Sequence, residues 1–126
     1  GLGSFEALLS SRYPLYTLPH GPVTHAHSLF LQVGVDLGLP GLISYLSILG
    51  LAFYMSFANC GILGAAPNPF VRTLALACAS SLVGLCLHGL VDAATWGNKG
   101  SFLPWIVLGI AASLFRLNRG EGRGEP

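Results

Sequence analysis

The feature that most constrains this chain is a long stretch without a charged residue, which runs from residue 37 to residue 71. Within it, residues 39–58 form an apolar segment with the length that an α-helix needs to cross the hydrocarbon core of a bilayer, about 20 residues. Asn59 and Gly61 follow this segment, and residues 66–69 contain two prolines, so the chain turns there. The pattern therefore predicts a membrane-spanning helix over residues 39–58.

The composition of the whole chain supports the same interpretation. Of its 126 residues, 52% are hydrophobic and only 9% are charged, whereas a soluble domain carries about a quarter charged residues. A chain this apolar would expose large hydrophobic surfaces to water, so lipid is the expected surrounding. The net charge of +1 comes from basic residues scattered along the chain, which form no patch for nucleic acid. We therefore expect membrane lipid as a partner and no nucleic acid.

Two further apolar segments predict two further spans. Residues 73–91 contain a single histidine, His88, and no charged residue, and they are rich in the small residues that let membrane helices approach closely. Residues 102–115 form a shorter apolar segment, and residues 116–126 form a polar, glycine-rich end that we expect to be a disordered tail. The predicted fold class is an all-α integral membrane protein, with three transmembrane helices within residues 37–115.

The first 36 residues are more polar, and they predict a loop followed by a short helix. The loop, between residues 13 and 24, contains three prolines that exclude a long helix. Ser28 is then a good N-cap, and with Gln32 and Asp36 it would share one face of a short amphipathic helix. The sequence Gly-Leu-Pro-Gly at residues 38–41 would bend the chain before the first span.

The distribution of basic residues predicts how the spans are oriented. Arg72 lies between the first two spans, Lys99 lies between the last two, and the tail carries three arginines. Because basic residues concentrate on the cytoplasmic side, we expect Arg72 and the C-terminus in the cytoplasm and residues 1–36 on the extracytoplasmic side. The outer interface would be marked by two aromatic residues, Trp96 and Trp105.

Two histidines, His25 and His27, precede the predicted amphipathic helix. His27 would lie at the positive end of the helix, which disfavours an imidazolium, and a neutral imidazole is the form that acts as a general base. The alternative is that both histidines are solvated loop residues. A metal site is disfavoured because no cysteine or carboxylate cluster completes a ligand set, and we expect no cofactor. The chain's cysteines form no close pair and are expected to be structural: Cys60, Cys78 and Cys86.

The sequence around this histidine pair resembles a known family. Residues 25–32 read HAHSLFLQ, and residues 36–42 read DLGLPGL. Together they are similar to the signature of the O-antigen ligase family, which runs histidine-asparagine, an apolar residue, an aromatic residue, Leu-Gln and later an acidic residue and Gly-Leu-Pro-Gly. Residues 1–5, GLGSF, resemble the glycine-rich turn before the family's outer loop. Ser28 stands where the family has asparagine, and the resemblance covers residues 1–46.

The resemblance implies the C-terminal part of a multi-pass enzyme of the bacterial plasma (inner) membrane. Such enzymes act in lipopolysaccharide biosynthesis of the cell envelope, where they transfer a glycan from an undecaprenyl-pyrophosphate carrier to a glycan or lipid acceptor on the outer face. His27 aligns with the motif histidine, whose proposed role is to deprotonate the acceptor hydroxyl, and His25 aligns with a frequent variant. Arg12 is either a ligand of the pyrophosphate or a solvated loop residue. The fragment alone is expected to be inactive.

Other interpretations of the same residues stay open. His88 and Asp92 are four residues apart, and they form either a local stabilising pair or a substrate-binding element in which Asp92 orients a histidine across the site. A polymerase or a protein O-glycosylating enzyme of the same superfamily would look nearly identical. A membrane transporter is an alternative, because residues 13–16 and 89–92 resemble stretches of bicarbonate-transporter-like proteins. A non-catalytic membrane protein is another.

Overall fold

A computed structural model of the chain describes residues 7, 9, 11, 12, 26–61, 68–93, 95, 96 and 101–121. Residues 120 and 121 are described by their backbone alone. Within these residues the chain is helical and contains no strand. Three helices follow one another: α1 (Leu29–Asn59), α2 (Pro69–Val91) and α3 (Leu103–Glu121). The all-α prediction is confirmed for the part of the chain that the structure describes.

The ends of α1 lie where the sequence predicts them. Its first backbone hydrogen bond is donated by the Gln32 N–H to the Ser28 carbonyl at 2.9 Å, so Ser28 is the N-cap residue. At the other end the Cys60 N–H donates to the Ser56 carbonyl at 3.1 Å. Gly61 follows with a φ of 76°, the left-handed conformation in which many helices end and which suits glycine. Both ends therefore depend on residues within about one helical turn.

A break at Gly38 divides α1 into two helical parts. Gly38 has φ 71° and ψ −176°, outside the helical range. Two residues later, Pro40 lacks the N–H that a continuous helix would use, and its ring crowds the preceding turn. Gly41 leaves room at the same place, because a Cβ added there would overlap the Leu37 side chain. The predicted bend over residues 38–41 is confirmed, and the predicted short helix is the first part of α1.

The start of α2 is set by a local cap. The Asn68 Oδ1 accepts a hydrogen bond from the Phe70 N–H at 2.9 Å, and Pro69 occupies the first helical position, where its missing N–H costs nothing. The apolar segment predicted a start at residue 73, but the helix begins four residues earlier, at Pro69. It ends at Val91 as predicted.

The C-terminal end of α3 corrects a prediction. Residues 116–126 were expected to be disordered, but α3 continues to Glu121, and residues 122–126 lie outside the described residues. Two side-chain contacts stabilise the additional turns. The Asn118 Nδ2 donates to the Asn59 Oδ1 at 3.0 Å, and the Arg119 guanidinium lies 4.5 Å from the centre of the Phe115 ring. One contact to another helix and one within α3 thus outweigh the low apolar content from which disorder was predicted.

Two helices could cross a membrane by their length and composition. Among the described residues, α1 and α2 are the helices that combine at least 18 residues with a sufficiently apolar stretch. The third predicted span, residues 102–115, is helical from Leu103 onwards. Because its helix also carries Arg116, Arg119 and Glu121, its crossing of a membrane stays a prediction.

The chain divides into two compact units whose limits fall inside the helices. The first comprises Gly1–Leu46 and Leu87–Ser101, and the second comprises Ser47–Cys86 and Phe102–Pro126. The predicted division into residues 1–36, 37–115 and 116–126 follows the position of each part relative to the membrane and stays a prediction. The first unit contains both the beginning of α1 and the end of α2, and the sequence motif with its histidines lies there.

Candidate functional site

His27 lies directly before the N-cap of α1, and its side chain is exposed. The residues that follow anchor this position, because Leu29 and Val33 are fully buried on the first two turns of the helix. The His27 imidazole is therefore accessible from outside the protein, and the His27 backbone is anchored by the packed helix that follows it. His25, the other predicted catalytic residue, lies outside the described residues.

A chain of hydrogen bonds holds the backbone beside His27. The Ala26 N–H donates to the Gln32 Oε1 at 2.7 Å. The other end of the same amide, Gln32 Nε2, donates to the Asp36 Oδ2 at 3.0 Å. Gln32 and Asp36 are both buried, so these bonds replace the water that the polar groups would otherwise bind. The side chains at positions 32 and 36 therefore connect the first part of α1 to the residue before His27.

Trp96 brings the segment after α2 into this polar group. Its indole Nε1–H donates to the Asp36 Oδ2 at 2.9 Å, so one carboxylate oxygen accepts two hydrogen bonds. The Trp96 ring also packs edge-to-face against Tyr45, with the ring centres 5.9 Å apart and an interplanar angle of 83°. A tryptophan that was predicted to mark the outer interface is therefore also a half-buried hydrogen-bond donor to the motif.

The beginning of α1 meets the end of α2 at Gly89. A Cβ added to Gly89 would lie 3.0 Å from the Cβ and Cδ2 of Leu29, which shows how closely the two helices approach. The Ser28 hydroxyl donates to the Gly89 carbonyl at 3.4 Å. The prediction of Ser28 as N-cap is therefore right in position, while its side chain contacts the neighbouring helix.

The first part of α1 does not separate polar from apolar residues as predicted. Gln32 and Asp36 are buried together with Leu29 and Val33, whereas Leu31 is 66% exposed. The polar side chains can be buried because they bond one another and Trp96, so they need no contact with solvent. The first part of α1 is thus a helix in which Gln32 and Asp36 face the protein and Leu31 faces outward.

His88 and Asp92 form the local pair that their spacing suggests. The His88 Nε2 lies 3.8 Å from the Asp92 Oδ2, and 56% and 39% of the two side chains are exposed. The other oxygen, Asp92 Oδ1, accepts a hydrogen bond from the Ala93 N–H at 2.7 Å, just after the end of α2. A pair this long and this exposed contributes little to stability in water. The structure thus contains the local His88–Asp92 pair, and a substrate-binding role for Asp92 stays a prediction.

Arg12 is helical and exposed, and it lies outside the hydrogen-bond chain that connects Ala26 to Trp96. The structure therefore describes the predicted site residues at three places: His27 before α1, Asp92 after α2, and Arg12 near the start of the chain. Among the described residues, no three histidine, cysteine, aspartate or glutamate side chains are close enough together to hold a metal ion.

Sequence reasoning proposed His27 as a candidate base but missed most of the contacts that hold the backbone beside it. The spacing of Gln32 and Asp36 placed them on one helical face, which was the available signal for a hydrogen bond between them. The role of Trp96 had no such signal, since it lies sixty residues from Asp36 along the chain and tryptophan is common at membrane interfaces for other reasons. Gly89 likewise was read only as part of the stretch at residues 89–92.

Comparison with known proteins adds no relative from which a role could be transferred. No family model matches the chain, and neither a curated protein nor a solved structure matches it.

Proposed function

We propose that α1 and α2 cross a membrane. Leu31 and Leu39 are 66% and 69% exposed, while Gln32 and Asp36 are 5% and 8% exposed. In the most apolar 18-residue stretch of each helix, 22% of α1 and 28% of α2 is buried, whereas the core helix of a soluble protein would be mostly buried. Lipid favours both exposed leucine and polar groups that are paired internally. The arginine distribution favours an orientation with residues 1–36 extracytoplasmic, and the resemblance of residues 1–46 to the O-antigen ligase family implies a bacterial inner membrane.

We propose further that the chain is part of an O-antigen-ligase-type enzyme that transfers a glycan from an undecaprenyl-pyrophosphate carrier to an acceptor hydroxyl. One observation carries this proposal: Gln32 bonds both to the backbone beside His27 and to Asp36. Residues that the family resemblance groups in one motif therefore form one connected structure. Gly38 completes the motif, because its left-handed conformation ends the first part of α1.

His27 is the proposed general base of this reaction. Its exposed imidazole would accept the proton of the acceptor hydroxyl while that oxygen attacks the anomeric carbon, and the lipid pyrophosphate would leave with the bonding electrons. Arg12, which is exposed, is the candidate for binding the leaving group, and Asp92 is a candidate for contacting the acceptor. A base must come within hydrogen-bonding distance of the hydroxyl, and a position at the exposed start of α1 allows such an approach.

Replacing His27 by alanine tests the proposed role. In the complete protein reconstituted into liposomes with an undecaprenyl-pyrophosphate-linked glycan, His27→Ala should lower the transfer rate by about 10²–10⁴-fold. His25→Ala is the matched control and should cost much less, because His25 aligns with a variant position of the motif. EDTA should have little effect, because the proposed reaction uses no metal ion. Near-normal transfer by His27→Ala would contradict the assignment.

A transport function is the second candidate, and the break in α1 favours it. Transporters bind their substrates at discontinuous helices whose polar groups line a path through the membrane. Gly38 interrupts α1 next to the buried carboxylate of Asp36. Uptake of ¹⁴C-bicarbonate into proteoliposomes separates the two functions. We expect no uptake above protein-free liposomes, and uptake that Asp36→Asn abolishes would favour transport over glycan transfer.

A further inference from the structure

The carboxylate of Asp36 determines which way the neighbouring Gln32 amide faces. The Asp36 Oδ2 accepts a hydrogen bond from the Gln32 Nε2 at 3.0 Å, so the NH₂ group of Gln32 faces Asp36. The amide oxygen is then directed to the other side, where it accepts the Ala26 N–H at 2.7 Å. Without an acceptor at position 36, the Gln32 NH₂ group would lose its partner, and the amide would be less firmly held in the orientation that accepts the Ala26 N–H.

The same carboxylate oxygen also connects two segments that are distant in sequence. Trp96 donates its indole N–H to the Asp36 Oδ2 at 2.9 Å, and the Trp96 ring packs against Tyr45. Tyr45 and Asp36 are both buried parts of α1, so the indole is held at its edge and at its nitrogen. A displacement of the Trp96 segment would therefore act on Asp36, then on Gln32, and through Gln32 on Ala26.

We propose that Asp36 is a positioning residue for His27. It acts through Gln32, which holds the backbone immediately before His27, and it couples this position to the segment that contains Trp96. The catalytic consequence rests on the proposed function, in which His27 is the base, whereas the positioning itself does not. Because Asp36 and Gln32 are buried, they act on the orientation of His27 and make no contact with a substrate in this arrangement.

Two substitutions of Asp36 separate the hydrogen-bonding role from a role in packing. Asp36→Asn keeps one side-chain carbonyl oxygen, which can accept from both Gln32 and Trp96, whereas Asp36→Leu keeps the branching at Cγ in a larger side chain that has no acceptor. In the glycan-transfer assay, Asp36→Leu should lower kcat by about 10²-fold, the effect of a small misplacement of a catalytic group, with KM nearly unchanged. Asp36→Asn should restore most of kcat. Equal losses in both variants would overturn the hydrogen-bonding role.

A double-mutant cycle addresses the case in which Asp36→Leu disturbs folding. Gln32→Leu removes the middle of the chain and leaves the bond between Asp36 and Trp96 in place. If Asp36 acts through Gln32, the double variant Gln32→Leu/Asp36→Leu should transfer glycan no more slowly than the worse single variant, because both changes break the same chain. Additive losses would show that Asp36 acts by another route and would overturn the proposal.

A chemical readout tests the positioning without relying on glycan transfer. The complete protein in detergent is treated with diethyl pyrocarbonate, and the modification rate of His27 is divided by that of His88, which is exposed at the end of α2. This ratio should be the same in wild type and Asp36→Asn and should change at least twofold in Asp36→Leu and Gln32→Leu. An unchanged ratio overturns the positioning role. A changed ratio in a protein that transfers no glycan supports positioning and rejects the proposed function.

Discussion

Gly89 is a residue at which α2 closely approaches α1 within the first unit. An added Cβ would lie 3.0 Å from two carbon atoms of Leu29, which is closer than ordinary van der Waals contact, and Leu29 is fully buried. The Gly89 carbonyl also accepts the Ser28 hydroxyl. Glycine is therefore required here because of the space between two helices, whereas Gly38 is required because of its backbone conformation.

Substituting Gly89 tests this packing at the residue scale. Gly89→Ala should lower the free energy of unfolding by about 1–3 kcal/mol, because the new methyl group displaces a side chain that has little room to move. Gly84→Ala is the matched control on the same helix. Nothing lies within 4 Å of a Cβ at Gly84, so alanine there should be neutral or should stabilise by up to about 1 kcal/mol through its helix propensity.

Far-UV circular dichroism during thermal unfolding in detergent would measure the difference between these two variants. Equal stabilities of Gly89→Ala and Gly84→Ala would show that α1 and α2 are not in close contact at Gly89.

The helices themselves show how far local sequence determines an element. α2 begins at Asn68 and Pro69 because a cap and a proline are adjacent there. The end of α3 is different, because a buried residue of α1, Asn59, accepts a hydrogen bond from Asn118 at 3.0 Å. Asn59 also donates to the Met55 carbonyl at 2.9 Å, so its amide is bonded at both ends. The last turns of α3 therefore depend on a partner in another helix.

Removing this partner should shorten α3 and destabilise the second unit. Asn118→Ala leaves the Asn59 oxygen buried without its donor, which should cost about 1–3 kcal/mol. Ser113→Ala is the control on the same helix, since the Ser113 hydroxyl bonds only locally, to the Gly109 carbonyl at 2.8 Å. That change should cost less than about 0.5 kcal/mol.

Amide hydrogen exchange of residues 116–119, followed by mass spectrometry, would measure the fraying directly. We expect faster exchange there in Asn118→Ala and no change in Ser113→Ala. If both variants exchanged at the wild-type rate, the contact with Asn59 would not be what stabilises the end of α3.

The whole molecule places apolar side chains on its surface and several polar ones inside. Large exposed apolar residues occur along all three helices, whereas the described residues that are polar and buried include Gln32, Asp36, Ser56 and Asn59. A soluble protein that exposed so much apolar surface would aggregate, while in a bilayer the same surface faces lipid. The basic residues predict which side of the membrane each end of such a protein occupies. One labelled position near each end of the chain is therefore enough to test the topology.

Labelling of single cysteines tests the predicted topology. Ser4→Cys and Gly124→Cys would each be introduced after Cys60, Cys78 and Cys86 are replaced by alanine. In intact spheroplasts an impermeant maleimide should label Ser4→Cys, and it should label Gly124→Cys only after permeabilisation, because the arginine-rich end is expected in the cytoplasm. The reverse pattern would exclude the proposed orientation and would place His27 on the wrong side for a reaction at the outer face.

The sequence by itself determined where the helices of this protein begin, bend and end, with α3 as the exception. Ser28, Gly61 and Asn68 mark helix ends, and Gly38 with Pro40 marks the break, because each acts on backbone groups within about one turn. The position of His27 before α1 follows from the same local rules. These features need no knowledge of the neighbouring helices.

The tertiary structure alone decided which residues meet across the chain. The bonds of Trp96 to Asp36, Gly89 to Ser28 and Asn118 to Asn59 join residues about sixty positions apart. The sequence places Gln32 and Asp36 on one polar face, but such a face can meet solvent or can be buried when its groups bond one another, so the sequence could not reveal that it faces inward. Their pairing depends on how the helices pack, and helix packing is a property of the whole fold.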